Sequence, residues 1–87
     1  MTTGCLALVG TGPLPALLMH QAAMALSQET GRPLISHGIG ESPNAVLSSC
    51  ADSTCLLRLN GDAGRLHPSG GSWLSALADW RLPVLLL

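Results

Sequence analysis

The feature that most constrains this chain is an alternation. Short apolar runs end at Gly or Asn, and each is followed by a stretch of helical character opened by Pro or Ser. Residues 5–9 form an unbroken apolar run ending at Gly10, which fits a strand buried on both faces better than a half-exposed one. Gly12 is then placed to cap a helix with Pro13 as its first residue, where a missing N–H costs nothing. Pro15 is tolerated within the first turn for the same reason. The Leu-, Ala- and Met-rich stretch 13–30 has few polar positions, and His20 and Ser27 fall close together on a helical wheel, so most of this helix is expected to be covered. Gly31 and Pro33 stop it.

The same grammar repeats. Residues 34–37 read as a second strand and 38–41 as a loop; Ser42 caps and Pro43 begins a helix running to about Ala51. Residues 54–59 read as a third strand, and 60–71 as a polar, Gly-rich loop of a kind that is often functional. Ser72 caps a last helix in which Trp73, Leu77 and Trp80 share one face by spacing, a pattern that favours packing over recognition. Pro83 ends that segment and residues 84–87 read as a fourth strand. Strand and helix in strict alternation imply right-handed crossovers. The expected fold is a small three-layer α/β sandwich with a mainly parallel sheet of three or four strands, the first central: a Rossmann-like or flavodoxin-like half domain.

At 87 residues the chain makes one domain, 1–87, read either as the front portion of a longer protein or as a module whose edge a partner covers. Charged residues are only 10% of the chain, against about 25% in an ordinary soluble domain. With so little to cover the outside, apolar surface is expected to meet another subunit, and the apolar strand 84–87 invites pairing with a second copy or a partner chain. There is no Lys, and four Arg are spread against five acidic residues. Nucleic acid is therefore not an expected partner. No basic residue precedes Arg32, the first apolar stretch is cut at Gly10–Pro13, and no run reaches a membrane span of about 18 residues. The expectation is a cytoplasmic protein without membrane contact.

Eight of the ten glycines follow strand ends: Gly10, Gly12, Gly38, Gly40, Gly61, Gly64, Gly70 and Gly71. In a parallel sheet those three loops lie at one edge, where open α/β sheets bind ligands, although tight strand-to-helix turns use Gly in any case. The candidate ligand-binding residues are Gly10, Thr11, Gly12, His37, Gly38, Gly40, Glu41, Asn60 and Asp62. The loops also hold Arg65, His67 and Ser69.

Gly10-Thr11-Gly12 lacks the third glycine and the later acid of a dinucleotide fingerprint, and Pro13 and Pro15 remove backbone donors that a pyrophosphate would use. A Walker loop is excluded without Lys. His37 and His67 are the only candidates for a general base, beside Glu41 or Asp62, and loop histidines without a catalytic role are the default reading. Ser42, Ser69 and Ser72 sit at turns and caps, none in a nucleophile elbow. Cys5, Cys50 and Cys55 are odd in number, form no C-x-x-C pair and lie in apolar segments. They read as buried free thiols acting as small hydrophobes, with neither a disulfide framework nor a metal site expected.

Leu8-Val9-Gly10-Thr11-Gly12-Pro13, followed by Leu14-Pro15-Ala16-Leu17-Leu18 and an Ala-rich helix, resembles the opening of the tetrapyrrole methylases. These are S-adenosylmethionine-dependent enzymes. The resemblance implies a fragment similar to the start of such an enzyme; the family's Gly-Asp between the prolines is replaced by Leu14, Met19 stands where Thr is usual, and no catalytic residue carries over. The residues themselves favour a small-molecule-binding α/β module for a nucleotide-like or anionic ligand. The alternative is a non-catalytic assembly module that packs on a partner. No cofactor is named by either reading.

Overall fold

The computed structural model describes residues 4–10, 15–68 and 70–87. The expected cap at Gly12, the helix start at Pro13 and the candidate Thr11 lie outside them, as does Ser69. The elements are β1 (Leu6–Gly10), α1 (Ala16–Thr30), β2 (Leu34–Gly38), α2 (Pro43–Cys50), β3 (Leu56–Asp62), α3 (Trp73–Asp79) and β4 (Val84–Leu86). All strand pairs are parallel, in the order β2-β3-β1-β4. β1 is interior, as its unbroken apolar run implied.

Side-chain alternation along β1 and β3 divides the core in two. Leu8 and Leu56 face α1 and pack with Met19 and Ala23. Ala7, Val9, Leu57 and Leu59 face the other way, onto Val46, Leu47 and Cys50 of α2 and Trp73 and Leu77 of α3. Both faces of these strands are covered, which is why β1 is continuously apolar and β3 is apolar from Leu56 to Leu59 except at Arg58. The helix placement follows from crossover handedness: the step from β1 to β2 moves toward one edge, and the steps from β2 to β3 and β3 to β4 move back. Right-handed crossovers in opposite directions put their helices on opposite faces, leaving α1 alone on one.

Several local expectations shift. Pro15 is not in the first turn of α1; its φ of −58° suits a helix, but its ψ of 129° is extended, so it is the cap residue. Its carbonyl accepts the Met19 N–H at 3.2 Å, the first bond of the helix. Ser42 takes the cap position of α2 without a side-chain cap bond, whereas Ser72 forms a reciprocal capping box with Ser75. Trp80 falls at the end of α3 and is 39% exposed, unlike Trp73 and Leu77, so the expected three-residue apolar face is only two residues long.

The largest shift is in β3. Asn60 and Asp62 were expected in a loop, yet the strand runs on to Asp62 because Asn60 pairs with Gly38 of β2 and Asp62 with Gly10 of β1 across a register shift. Gly61 makes that irregularity possible. Its φ is +119°, a conformation L side chains rarely adopt.

Candidate functional site

The C-terminal ends of β1 and β3 are neighbours whose connections leave in opposite directions, to α1 on one face and to α3 on the other. Such a switch point opens a crevice at the strand ends. Here Gly10 and Asp62 sit side by side, and the Ala63 N–H donates to the Gly10 carbonyl at 3.0 Å. Asp62 accepts the Gly64 N–H through Oδ1 at 2.9 Å and so shapes its own turn.

The β2 end lies beside it. Glu41 folds back to accept the Gly38 N–H at 3.0 Å, and both its carboxylate oxygens lie 3.1 Å from His37 Nδ1. Asn60 Nδ2 donates to the His37 carbonyl, and the Asn60 carbonyl accepts the Ile39 N–H. His67 Nε2 lies 3.3 Å from the Gly40 carbonyl, and the Trp73 indole N–H donates to the Ile39 carbonyl at 2.9 Å. His37, Gly38, Gly40, Glu41 and Asn60 are thus brought together, with Gly10 and Asp62 at the adjoining strand ends. Thr11 and Gly12 lie outside the described residues. Much of the polar chemistry read as ligand-facing is spent on holding the loops.

Open space at this edge has other walls. A cleft of about 320 Å³ lies between the first turn of α2 and the length of α3, bounded by Ser42, Asn44, Ser72, Ser75, Asp79 and Trp80 among others. A second hollow of about 200 Å³ is framed by Ile39, Gly40, Arg65, Leu66, His67 and Trp73. Ser42 and Ser72 were legible as caps; that α2 and α3 start side by side to enclose a cleft needed the strand order.

The Gly38 N–H, and secondly the His37 side chain, hold the Glu41 carboxyl below the usual carboxylate range. A depressed carboxylate contributes to loop order above its unfolded pKa of about 4.3, and the contribution is lost as pH falls through the lower folded value. The ¹³C resonance of the Glu41 side-chain carboxyl is therefore expected to titrate with its midpoint below about 4.3; a midpoint at or above that value would contradict the pairing.

The opposite edge of the sheet holds a cluster that the sequence reading did not assemble. Cys5 immediately precedes β1 and Cys55 immediately precedes β3, and the register Leu6 to Leu56 sets the two side by side on the α2/α3 face. Cys50, the last residue of α2, reaches the same place. All three are buried, as expected of small hydrophobes, and their sulfur atoms lie within 4.8 Å of one another. Burial, reinforced by the neighbouring thiols, pushes the Cys5 thiol well above its ordinary pKa, and burial also raises Cys50. The only sequence signal was that two cysteines open strands that turn out to be partners. A small α/β fold with a buried triad of thiols that could hold a ligand or metal is what the geometry defines.

No family model, no curated protein and no solved structure matches this chain. The likeness of residues 8–18 to a tetrapyrrole methylase opening rests on that segment alone, and residues 11–14 of it lie outside the described residues. Among the described residues, no helix is long and apolar enough to cross a membrane.

Proposed function

We propose that the chain is a small-molecule-binding α/β module that takes a polar or anionic, nucleotide-like ligand at the C-terminal edge of its sheet. The observation that carries this reading is the cleft of about 320 Å³ between the start of α2 and the length of α3. Its volume is at the lower end of the range for ligand sites, about 300 to 1,000 Å³. Ser42, Asn44, Ser72 and Ser75 give it hydroxyl and amide groups, the Ser72 and Ser75 hydroxyls being shared with the α3 capping box, and the Asp79 carboxylate in the same lining suits the hydroxyls of a sugar. Arg65 in the neighbouring hollow adds a cationic group for a phosphate. The test is calorimetric titration with adenosine monophosphate and, separately, pyrophosphate. Binding of either is expected to weaken at least tenfold in Asn44→Ala, an exposed substitution with little effect on stability. Equal affinity in wild type and variant, or no heat with either probe, would contradict the proposal.

Apolar surface supports a second reading, in which the module assembles with another copy. Leu85 and Leu86 on the edge strand β4 are 40% and 62% exposed, and Leu17 on α1 is 65% exposed. An edge strand with free backbone groups and apolar side chains is a template for pairing. Light scattering at low micromolar concentration is expected to show a dimer or larger species that Leu85→Lys reduces to monomer. A folded wild-type monomer would remove this reading and leave the first untouched.

A further inference from the structure

We propose that Cys5, Cys50 and Cys55 form a three-sulfur site for a soft, three-coordinate thiophilic ion, of which trivalent arsenic is the best-matched member. Three points no more than 4.8 Å apart share a point within about 2.8 Å of each, 4.8 divided by √3. A metal–thiolate bond is about 2.3 Å, so inward movements of about half an ångström close the site. Two sulfurs are fixed by paired strands and the third by the end of a packed helix, which makes the triangle a property of the fold.

Coordination number and charge select the ion. Zinc in a closed site requires a fourth protein donor, and among the described residues no His, Asp, Glu or further Cys joins the three sulfurs. Thiolates favour soft ions. Three thiolates leave a net charge of −2 around Cu(I), −1 around a divalent ion and zero around As(III), and uncompensated charge in an apolar core is costly. Arg32 Nη1 donates to the Gly4 carbonyl at 2.6 Å and lies 3.5 Å from the Cys55 carbonyl, so one positive charge flanks the cluster. Charge therefore weighs against Cu(I) and leaves a divalent ion and As(III) as the candidates, of which zinc lacks its fourth donor. The exchange with arsenious acid balances without a redox partner: three S–H bonds and three As–OH bonds break, three S–As bonds form, and three waters leave. The exposed turn at Asp52, Ser53 and Thr54, between Cys50 and Cys55, offers an entry path that leaves the sheet paired.

The test treats the reduced full chain with arsenite, Cu(I) and Zn(II) in separate arms and weighs the products by native mass spectrometry. The arsenite arm should show one arsenic per chain with the loss of three hydrogens, and arsenic X-ray absorption should count three sulfur neighbours. Zn(II) should not bind at one equivalent. Cys5→Ala, Cys50→Ala and Cys55→Ala should each lose the three-hydrogen product, with folding checked by far-UV circular dichroism. If an alanine variant fails to fold, the absorption count on wild type decides alone. One equivalent of Cu(I) on three sulfurs, with no arsenite uptake, would overturn the choice of ion. Loss of fewer than three hydrogens, tighter zinc binding, or full binding by any folded alanine variant would overturn the site.

Discussion

Trp73→Ala is expected to remove a large part of the stability of this domain. Trp73 is 1% exposed in the α2/α3 core, and its indole N–H is bonded to the Ile39 carbonyl. Truncating a buried aromatic costs about 3 to 5 kcal/mol, and the half-buried Ile39 carbonyl loses its partner as well. At 0.05 to 0.15 kcal/mol per residue, a chain of 87 residues has a total of about 4 to 13 kcal/mol. Urea unfolding followed by circular dichroism would show a midpoint lowered by about a quarter or more, with no cooperative transition where the total lies at the low end of that range. Trp73→Phe keeps an aromatic ring of smaller volume and loses the N–H, and should cost less than the alanine variant but more than a lost hydrogen bond alone. An alanine variant within 1 kcal/mol of wild type would mean that Trp73 does not join the loop after β2 to the core.

Gly61→Ala is the second large effect, and it acts on the candidate site through the backbone. A Cβ at Gly61 would stand 2.8 Å from Ile39 Cγ1 and 2.9 Å from Cδ1, in a residue whose φ is +119°. The backbone strain costs about 1 to 3 kcal/mol, and Ile39 cannot yield freely because its branched side chain is stiff and its carbonyl holds Trp73. We expect a total of about 2 to 4 kcal/mol. The steric part, though not the φ part, should be relieved in the Gly61→Ala/Ile39→Ala pair, giving a favourable coupling of about 1 kcal/mol in a double-mutant cycle. A strictly additive pair would place Ile39 elsewhere.

Local rules were enough for much of this fold. Gly31 takes the left-handed conformation that ends α1, Pro43 opens α2, and Ser72 caps α3 with Ser75. The unbroken apolar run before Gly10 and the run before Asn60, interrupted only by Arg58, became interior strands. What the sequence could not supply was non-local. The extension of β3 through Asn60 to Asp62 depends on partners in β1 and β2, which compensate for three polar or small residues that alone read as loop. The thiol triangle likewise depends on which strand lies beside which, because Cys5 and Cys55 are far apart in sequence and meet only through the β1–β3 register. At the C-terminal edge His37, Glu41 and Asn60, read from their residue types as ligand-facing, bond within and between the loops, and the open space is lined instead by residues such as Ser42, Asn44 and Ser75 that read only as helix starts.

The claim at the centre of this account, that the ligand lies at the C-terminal edge between α2 and α3, is tested most directly by titrating the ¹⁵N-labelled chain with adenosine monophosphate and mapping the amide shifts. The expected result is saturable movement of Ser42, Asn44, Gly71, Ser72 and Ser75, with Cys5, Cys50 and Cys55 at the far edge unmoved. Shifts confined to the cysteine edge or to β4, or none at millimolar nucleotide, would contradict it.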